Sequence, residues 1–411
     1  MNNYNLIVIG SGAAGMISAI ISARAGKDVL LLEKLPNIAS KLKATGGGRC
    51  NLTNTLSNED FMKSFGRDGR FMQDALKDFD HKKLIRFLEE IGVETHAPDG
   101  FRVFPTSHSS ATIISALEDE MKRVGVTLIC SSKVTKITHN ENKITGVQTD
   151  KHSYFAPNVI IATGGLGYPT LGAEGDGYGM AIELGHKVTQ LFPAMTPLKT
   201  KESWGANCRA DTIAKVTLKV DMKKHKKLHA KGDLIFTKNG IRGPVVLDFA
   251  REITPLLEKY GEVPLLLNLT KGMNEEQISQ QIKKELSKYP NRSILEHLTT
   301  LLPSALSTEL CILATINPND KYNKIEGVSR AKLIQLLAWT PLTINGHDGF
   351  KMAMITRGGI NLKEIDPKTM QSKIVKGLYF CGEVINIDGP CGGYNLQWSF
   401  SSGVLAGNLL N

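Results

Sequence analysis

Cysteine is scarce in this chain: six residues in 411, at positions 50, 130, 208, 311, 381 and 391, with no CxxC pair and no Cys/His ligand spacing. That scarcity excludes a disulfide-stapled miniprotein and argues against a zinc site, so no metal is expected. Scattered single thiols read as the reduced cysteines of a cytosolic, cytoplasmic protein. Long apolar runs are missing too. Ser18, Ser22 and Arg24 interrupt the longest candidate, and nothing approaches the ~20 residues of a membrane span, so no membrane partner is expected. The N-terminus enters a strand within five residues, without the basic-then-apolar layout of a signal peptide. Internal repeats and low-complexity linkers are absent, which sets aside coiled coils and collagen-like chains.

What remains is the composition of an ordinary folded protein, 41% hydrophobic and 22% charged. At ~100–200 residues per domain, the length suggests two or three domains. Net charge is +10. Residues 191–350 hold 23 Lys and Arg against 16 Asp and Glu, so this middle third carries +7 of it. A basic excess concentrates anionic partners, whether phosphate cofactors, nucleic acids or acidic lipids, without choosing among them. The run Lys223-Lys224-His225-Lys226-Lys227 is its extreme and reads as a solvated hairpin tip.

The opening is the most legible stretch. Asn5-Leu6-Ile7-Val8-Ile9 is an apolar run, glycines follow, and Met16-Ile17-Ile20-Ile21 has helical spacing up to Ala25-Gly26. Val29-Leu30-Leu31-Leu32 is a second run, too apolar to alternate, as for a strand covered on both faces. Strand, helix and parallel strand in about thirty residues make a right-handed βαβ unit. Residues 55–125 read as mainly helical, with a hairpin around Pro98-Asp99-Gly100 and a helix from about Ser109 to Val124. Strands are expected at Val126–Cys130 and through 133–161, the last being Val159-Ile160-Ile161-Ala162. Residues 191–270 read as β-rich, including Val216–Val220, Leu234–Thr237 and Val263–Leu269. Residues 271–339 read as helical, and about 340–352 as β again. Leu378–Cys381 is another buried strand before a terminal helix beginning near Asn395. The expected fold is therefore α/β, a Rossmann-like domain made discontinuously from 1–190 and 353–411. An inserted β-rich plus helical substrate or cap domain would occupy 191–352.

Gly10-Ser11-Gly12-Ala13-Ala14-Gly15 sits between the first strand and helix. Its first glycine permits a tight turn, its second lets backbone approach a pyrophosphate, and its third allows close helix–strand packing. The helix N-terminus adds unpaired N–H groups and a positive dipole end. Glu33 follows the second strand, where a carboxylate accepts ribose hydroxyls, and this favours FAD or NAD over a 2′-phosphorylated nucleotide. Two further glycine-rich elements favour FAD. Ala162-Thr163-Gly164-Gly165 ends a strand, and Gly382-Glu383 opens a stretch through Gly389-Pro390-Cys391-Gly392-Gly393-Tyr394-Asn395-Leu396-Gln397 into the last helix. A long cofactor in an extended pose needs such separated contacts, and that helix N-terminus would face the flavin N1/C2=O edge.

With these motifs the chain resembles the two-dinucleotide-binding-domain flavoproteins. Within them it resembles the NAD(P)/FAD-dependent oxidoreductase family of BaiN-like flavoproteins and aminoacetone oxidase. The resemblance rests on the N-terminal fingerprint, on Thr45-Gly46-Gly47-Gly48-Arg49-Cys50-Asn51, on Phe104-Pro105-Thr106-Ser107 and on Gly377 through Gly403 with Trp398. Phe236-Thr237-Lys238-Asn239-Gly240 and Thr356-Arg357-Gly358-Gly359 add to it. It is weakest from 270 to 335, and Thr45 stands where the family usually has Ser. The resemblance implies FAD held by Gly10, Gly12, Ala14, Glu33, Val134 (by its backbone, against adenine), Thr163, Gly164, Gly382, Glu383, Asn395, Leu396 and Gln397. The neighbouring Ala13, Gly15, Lys34, Gly47, Arg49, Cys50, Ala162, Asp388, Gly393 and Tyr394 complete the expected cofactor site. Where the superfamily commonly has Asp after glycine 382, this chain has Glu383, so its ribityl contact would be longer or shared with Asp388. Gly172 through Gly185, with Gly175-Asp176-Gly177, resembles the segment that approaches the cofactor in fumarate-reductase-type flavoproteins.

The 45–51 block has its own physics: three glycines bring backbone N–H groups near a ring or phosphate, and Arg49 adds a fixed cationic fork. Cys50 and Cys391 lack the CxxC or CxxxxC spacing of disulfide reductases, and Cys381, inside a strand, reads as packing. His186 and His347 read as structural, Trp398 as core, Arg357 as a surface salt bridge or an anion contact, and Tyr394 as either stacked on flavin or packed in the core. No residue type marks the catalytic acid or base. The expected activity is hydride transfer through flavin N5 on a small organic substrate. A second GxGxxG is missing, so NADH or NADPH is expected to dock transiently at the flavin face. The alternatives are an oxygen-using oxidase of a small amine or hydroxy compound, and an RNA-acting flavoprotein. Against RNA, the insert shows no RNP-like aromatics and only one concentrated lysine run. Substrate identity and oligomeric state are not readable from the sequence.

Overall fold

The computed structural model describes residues 3–408. Four apolar runs of the N-terminal part and one near the end become strands: β1 (Leu6–Ile9), β2 (Val29–Leu32), β3 (Thr127–Ile129), β4 (Val159–Ile161) and β5 (Leu378–Phe380). They form one sheet in the order β5-β4-β1-β2-β3, with every neighbouring pair parallel. β1, β2, β4 and β5 are buried at every position, which is why their sequences do not alternate. Because all five run the same way, the segments after Ile9, Leu32, Ile161 and Phe380 emerge along one edge of the sheet.

Helices α1 (Ala13–Arg24) and α2 (Tyr394–Asn408) pack against each other through small residues. A Cβ added at Gly403 would lie 2.5 Å from Ala14 O, and one at Gly407 would lie 2.7 Å from Ser18 O. Ser22 Oγ donates to Gly407 O across the pair. Only glycine permits this approach, and it ties the chain's two ends into one core with Trp398 and Phe400 at its centre. The expected hairpin around Pro98–Gly100 forms between Thr95–His96 and Arg102–Pro105, and the helix expected from Ser109 spans Ser110–Arg123.

The chain divides into two units, 1–192 with 355–411, and 193–354. The second has its own core and is built on a closed six-stranded barrel. Its strands are Leu198–Thr200, Thr212–Val220, His229–Thr237, Gly240–Arg242, Val263–Asn268 and Thr340–His347. Helices Glu275–Lys288, Ile294–Leu298, Ser304–Leu313 and Gly327–Ala338 fill the stretch read as helical.

One expectation for this unit fails. The reading of 191–270 as strands passes over a 17-residue helix, Pro244–Tyr260. Its buried residues Val245, Val246, Phe249, Ala250, Ile253, Leu256 and Leu257 fall at helical spacing. Two signals concealed it: a β-branched start, and Pro255 inside the pattern. Pro244 opens the helix, where its missing N–H costs nothing.

Candidate functional site

The carboxyl edge of the parallel sheet gathers most of the residues singled out in the sequence. Gly10 leaves β1 at φ +100°, and an added Cβ would strike Ala162 O at 2.7 Å, so the turns after β1 and β4 are pressed together. At Gly15 a Cβ would stand 1.9 Å from Gly10 O, so the third glycine is required by packing. Gly12 is different. It has ordinary extended backbone at the N-cap of α1, and a Cβ there meets nothing within 4 Å. The second glycine therefore faces open space beside the helix N-terminus, where an anionic group can take the free N–H donors. Ala13 and Ala14 form the first turn of α1 and are buried.

Glu33 lies just past β2 with 9% exposure. Its Oε2 accepts from Ser11 N at 2.9 Å and Ser11 Oγ at 2.6 Å, and its Oε1 accepts from Leu35 N at 2.9 Å. These bonds fix the carboxylate against the glycine turn, and its remaining lone pairs are available to diol hydroxyls. Lys34 turns away from that role. It pairs with Glu174 and Asp176, and Asp176 also binds Lys133 at 3.1 Å. Burial alone would lower the Lys34 pKa, but the two carboxylates outweigh it and raise it. Asp176 opens the helix Asp176–Glu183, whose Gly177 would place a Cβ 2.1 Å from Thr163 Oγ1. Thr163 Oγ1 is itself buried without a hydrogen-bond partner, next to the open backbone of Gly164. Val134 begins the strand Val134–Asn140 opposite Thr149.

The 45–51 block is joined to the last glycine stretch. The Asn51 amide, oriented to satisfy its neighbours, donates to Thr53 O and accepts from Gly393 N, both at 3.2 Å. Asn54 Nδ2 donates to Gly392 O at 3.0 Å. Gly46, Gly47, Gly48 and Cys50 all have positive φ, so the block is a left-handed turn, and around Gly47 and Gly48 there is no atom within 4 Å of an added Cβ. Arg49 is exposed, with its guanidinium 5.7 Å from the Phe104 ring centre. Cys50 is fully buried and its thiol is pushed up to about 11, burial outweighing a hydrogen bond with Thr45. A protonated, inaccessible thiol is no redox nucleophile. Among the described residues no cysteine is joined in a disulfide.

At the end of β5, Gly382 N donates to Ser402 Oγ and Gly382 O accepts from Trp398 Nε1. Glu383 Oε1 accepts from Thr356 N at 2.9 Å, and Oε2 accepts from Lys41 Nζ at 2.6 Å. Thr356 Oγ1 in turn accepts from Leu166 N at 2.7 Å. Thr356 was noted only as part of a family block, Lys41 and Leu166 were not singled out in the sequence, and a pair 342 residues apart leaves no local signal. Asn395 closes its own loop, accepting from Gly389 N and donating to Gly389 O and Pro390 O. Asp388 and Leu396 lie on this loop and the start of α2, both part-buried.

Two side chains of this stretch turn into the core. Gln397 is buried and its Nε2 donates inward to Phe79 O and Ser401 Oγ, while its Oε1 is buried without a hydrogen-bond partner. Tyr394 packs among Phe61, Phe65 and Phe101 with ring centres 5.0–6.4 Å apart, which favours the core reading over stacking. His186 binds Ser372 Oγ at 2.8 Å and lies 3.3 Å from Glu364; burial lowers its pKa. His347 accepts from Gly349 N. Among the described residues no group of three or more His, Cys, Asp or Glu could hold a metal, and no helix is long and apolar enough to cross a membrane.

A parallel sheet with a glycine turn, a buried acidic residue after the second strand and a helix N-terminus at its carboxyl edge defines a dinucleotide-binding Rossmann-type protein. The model of the HI0933-like protein Rossmann domain matches residues 4–409, and the chain belongs to that family of BaiN-like flavoprotein oxidoreductases. It is 32% identical over 405 residues, 97% of each chain, to the 3-dehydro-bile acid delta(4,6)-reductase of Clostridium scindens. It is 30% identical over 399 residues, 96% of each chain, to the ribosomal RNA dihydrouridine synthase of Haemophilus influenzae. Among solved structures, the fold is similar to 3-ketosteroid delta1-dehydrogenase from Sterolibacterium denitrificans. That likeness has a TM-score of 0.54 at 14% identity and covers 100% of this chain and 99% of that one.

Proposed function

We propose that this chain is an FAD-dependent reductase of a ring carbon–carbon double bond conjugated to a carbonyl group. One observation carries the reading. Two relatives that align over nearly the whole chain are named for different substrates, yet both names describe saturating such a bond, in a 3-oxo steroid acid and in a uridine. The chain's residues fit FAD. Gly12 leaves room for a pyrophosphate, Thr163 Oγ1 is a buried hydroxyl awaiting a partner, and Glu33 is held in place for ribose hydroxyls.

In this reading the N–H groups of Gly12 to Ala14 hold the phosphates, and Glu383, steadied by Lys41 and Thr356, holds the ribityl chain. The first-turn N–H groups of α2 at Asn395 to Gln397 favour negative charge at the neighbouring ring edge. When bound, FAD would supply two-electron hydride-transfer chemistry between a nicotinamide nucleotide and the substrate double bond. Net charge +10 concentrates the anionic nicotinamide nucleotides at the protein.

The test is anaerobic reduction with NADH and with NADPH, followed by addition of a cyclic enone. Bleaching by a nicotinamide and return of colour with the enone, with the saturated ketone as product, is the expected result. Failure of both nucleotides to bleach the flavin moves the reading to an oxidase of a small amine or hydroxy compound.

A second reading, in which the reduced ring is a uracil within RNA, is favoured by the basic excess of residues 191–350.

A further inference from the structure

The strands Thr212–Val220 and His229–Thr237 pair as an antiparallel hairpin of the barrel. Their connection carries Lys223-Lys224-His225-Lys226-Lys227, with all four lysines exposed. The basic character does not stop at the tip. Thr217 lies opposite Lys231 and Lys219 opposite His229, and directly paired residues project from the same face of a sheet. Lys219 is held over the Trp339 ring, its ammonium 5.8 Å from the ring centre. The turn Lys271-Gly272 borders the same face, where a Cβ at Gly272 would approach Lys231 Nζ to 4.0 Å.

From 212 to 237 the hairpin holds seven lysines and two carboxylates, Asp221 and Asp233. Asp233 is already engaged in accepting from Lys215 N. Some lysines elsewhere are neutralised locally, Lys34, Lys41, Lys122 and Lys201 each binding a carboxylate within 3.1 Å. Among the described residues none of the seven hairpin lysines forms an ion pair. A row of unneutralised ammonium groups along a strand pair and around its tip matches a chain of regularly spaced monovalent anions, which a phosphodiester backbone presents.

We propose that this hairpin is the surface on which the protein grips the phosphodiester backbone of RNA, a proposal that rests on the reading of a uracil in RNA as the reduced ring. Charge gives the contact its affinity and salt dependence, while base identity is left to the reducing centre. Four tip lysines on single-stranded RNA contribute about 0.7 each to the slope of log affinity against log salt. Their loss should flatten that slope by about 3, so that between about 50 and 200 mM salt the wild type weakens roughly 50-fold more than the variant.

The test compares the full-length flavoprotein with K223Q/K224Q/K226Q/K227Q, and separately with K219Q/K231Q, for binding a fluorescein-labelled oligouridine across a salt series. Reduction of the flavin by NADH and by NADPH, and reduction of a cyclic enone, are measured on the same preparations. Supporting results are a slope flattened by about 3 in the tip variant and a smaller flattening in the strand variant, with enone reduction unchanged. Equal slopes in all three proteins overturn the proposal. So does a wild type that reduces the enone but does not bind the RNA, and that outcome leaves the reductase reading standing. Tip-dependent binding to phosphatidylglycerol vesicles with none to RNA also overturns it, in favour of a membrane surface. A wild type whose flavin neither NADH nor NADPH reduces refutes the reductase reading and, with it, this proposal.

Discussion

The two glycines Gly12 and Gly15 should respond oppositely to the same added methyl group. At Gly12 the backbone is at φ −74° and ψ −177°, which alanine adopts freely, and its Cβ would meet nothing within 4 Å. Alanine restricts the unfolded chain, a gain of about 0.4–1 kcal/mol, but is a poorer N-cap than glycine by a comparable amount. The apoprotein of Gly12→Ala should therefore stay within about 1 kcal/mol of wild type. The methyl would instead fill the space in which a pyrophosphate approaches the backbone. FAD affinity should fall at least about 100-fold, or about 3 kcal/mol. At Gly15 the Cβ would stand 1.9 Å from Gly10 O, a backbone atom that cannot rotate away. Gly15→Ala should destabilise the protein by more than about 3 kcal/mol and be recovered mostly insoluble. Urea unfolding of the two apoproteins, with FAD titrated by quenching of its fluorescence, separates the effects. A Gly12→Ala protein that binds FAD like wild type, or whose apoprotein is as unstable as Gly15→Ala, refutes the assignment of the open space to phosphate.

Lys41→Met should leave the part-buried Glu383 carboxylate with Thr356 N–H as its remaining bond and lower stability by roughly 1–3 kcal/mol, read from the urea midpoint; no change would mean the pair is solvated. Cys50 should resist alkylation in the folded protein at pH 8 because burial pushes its thiol up to about 11, and Cys50→Ala should still bind FAD and be reduced by whichever nicotinamide reduces the wild type. Rapid labelling of Cys50 would reopen a thiol mechanism. Burial lowers the pKa of His186, so the unfolded chain takes up its proton first. The stability His186 contributes is complete above about 6.5, the unfolded value, and is lost as pH falls through the lower folded value. His186→Asn should therefore show a smaller loss of stability between about pH 7.5 and about pH 5 than wild type, by chemical denaturation; a steeper loss contradicts this sign.

Local signals carried much of this architecture. Apolar runs without alternation marked the parallel strands, and the glycine spacing marked the turn after β1. The lysine run marked a hairpin tip. The helix Pro244–Tyr260 escaped because its β-branched start and internal proline both argue for strand or loop, and tertiary burial of one face overrode them. Partnerships between distant residues were beyond reach for a different reason. Lys41 with Glu383, Ser372 with His186 and Asn51 with Gly393 are created by the fold, and no periodicity records them. The same holds for Gln397, which sits in a cofactor-like motif yet spends its side chain on Phe79 and Ser401 of the core.

The central claim is that these turns hold a flavin, and the visible absorption of the purified protein addresses it most directly. One FAD released per chain on denaturation, with the two-banded spectrum of a bound oxidised flavin beforehand, is the predicted result. A well-folded protein that stays colourless after incubation with excess FAD and desalting contradicts it.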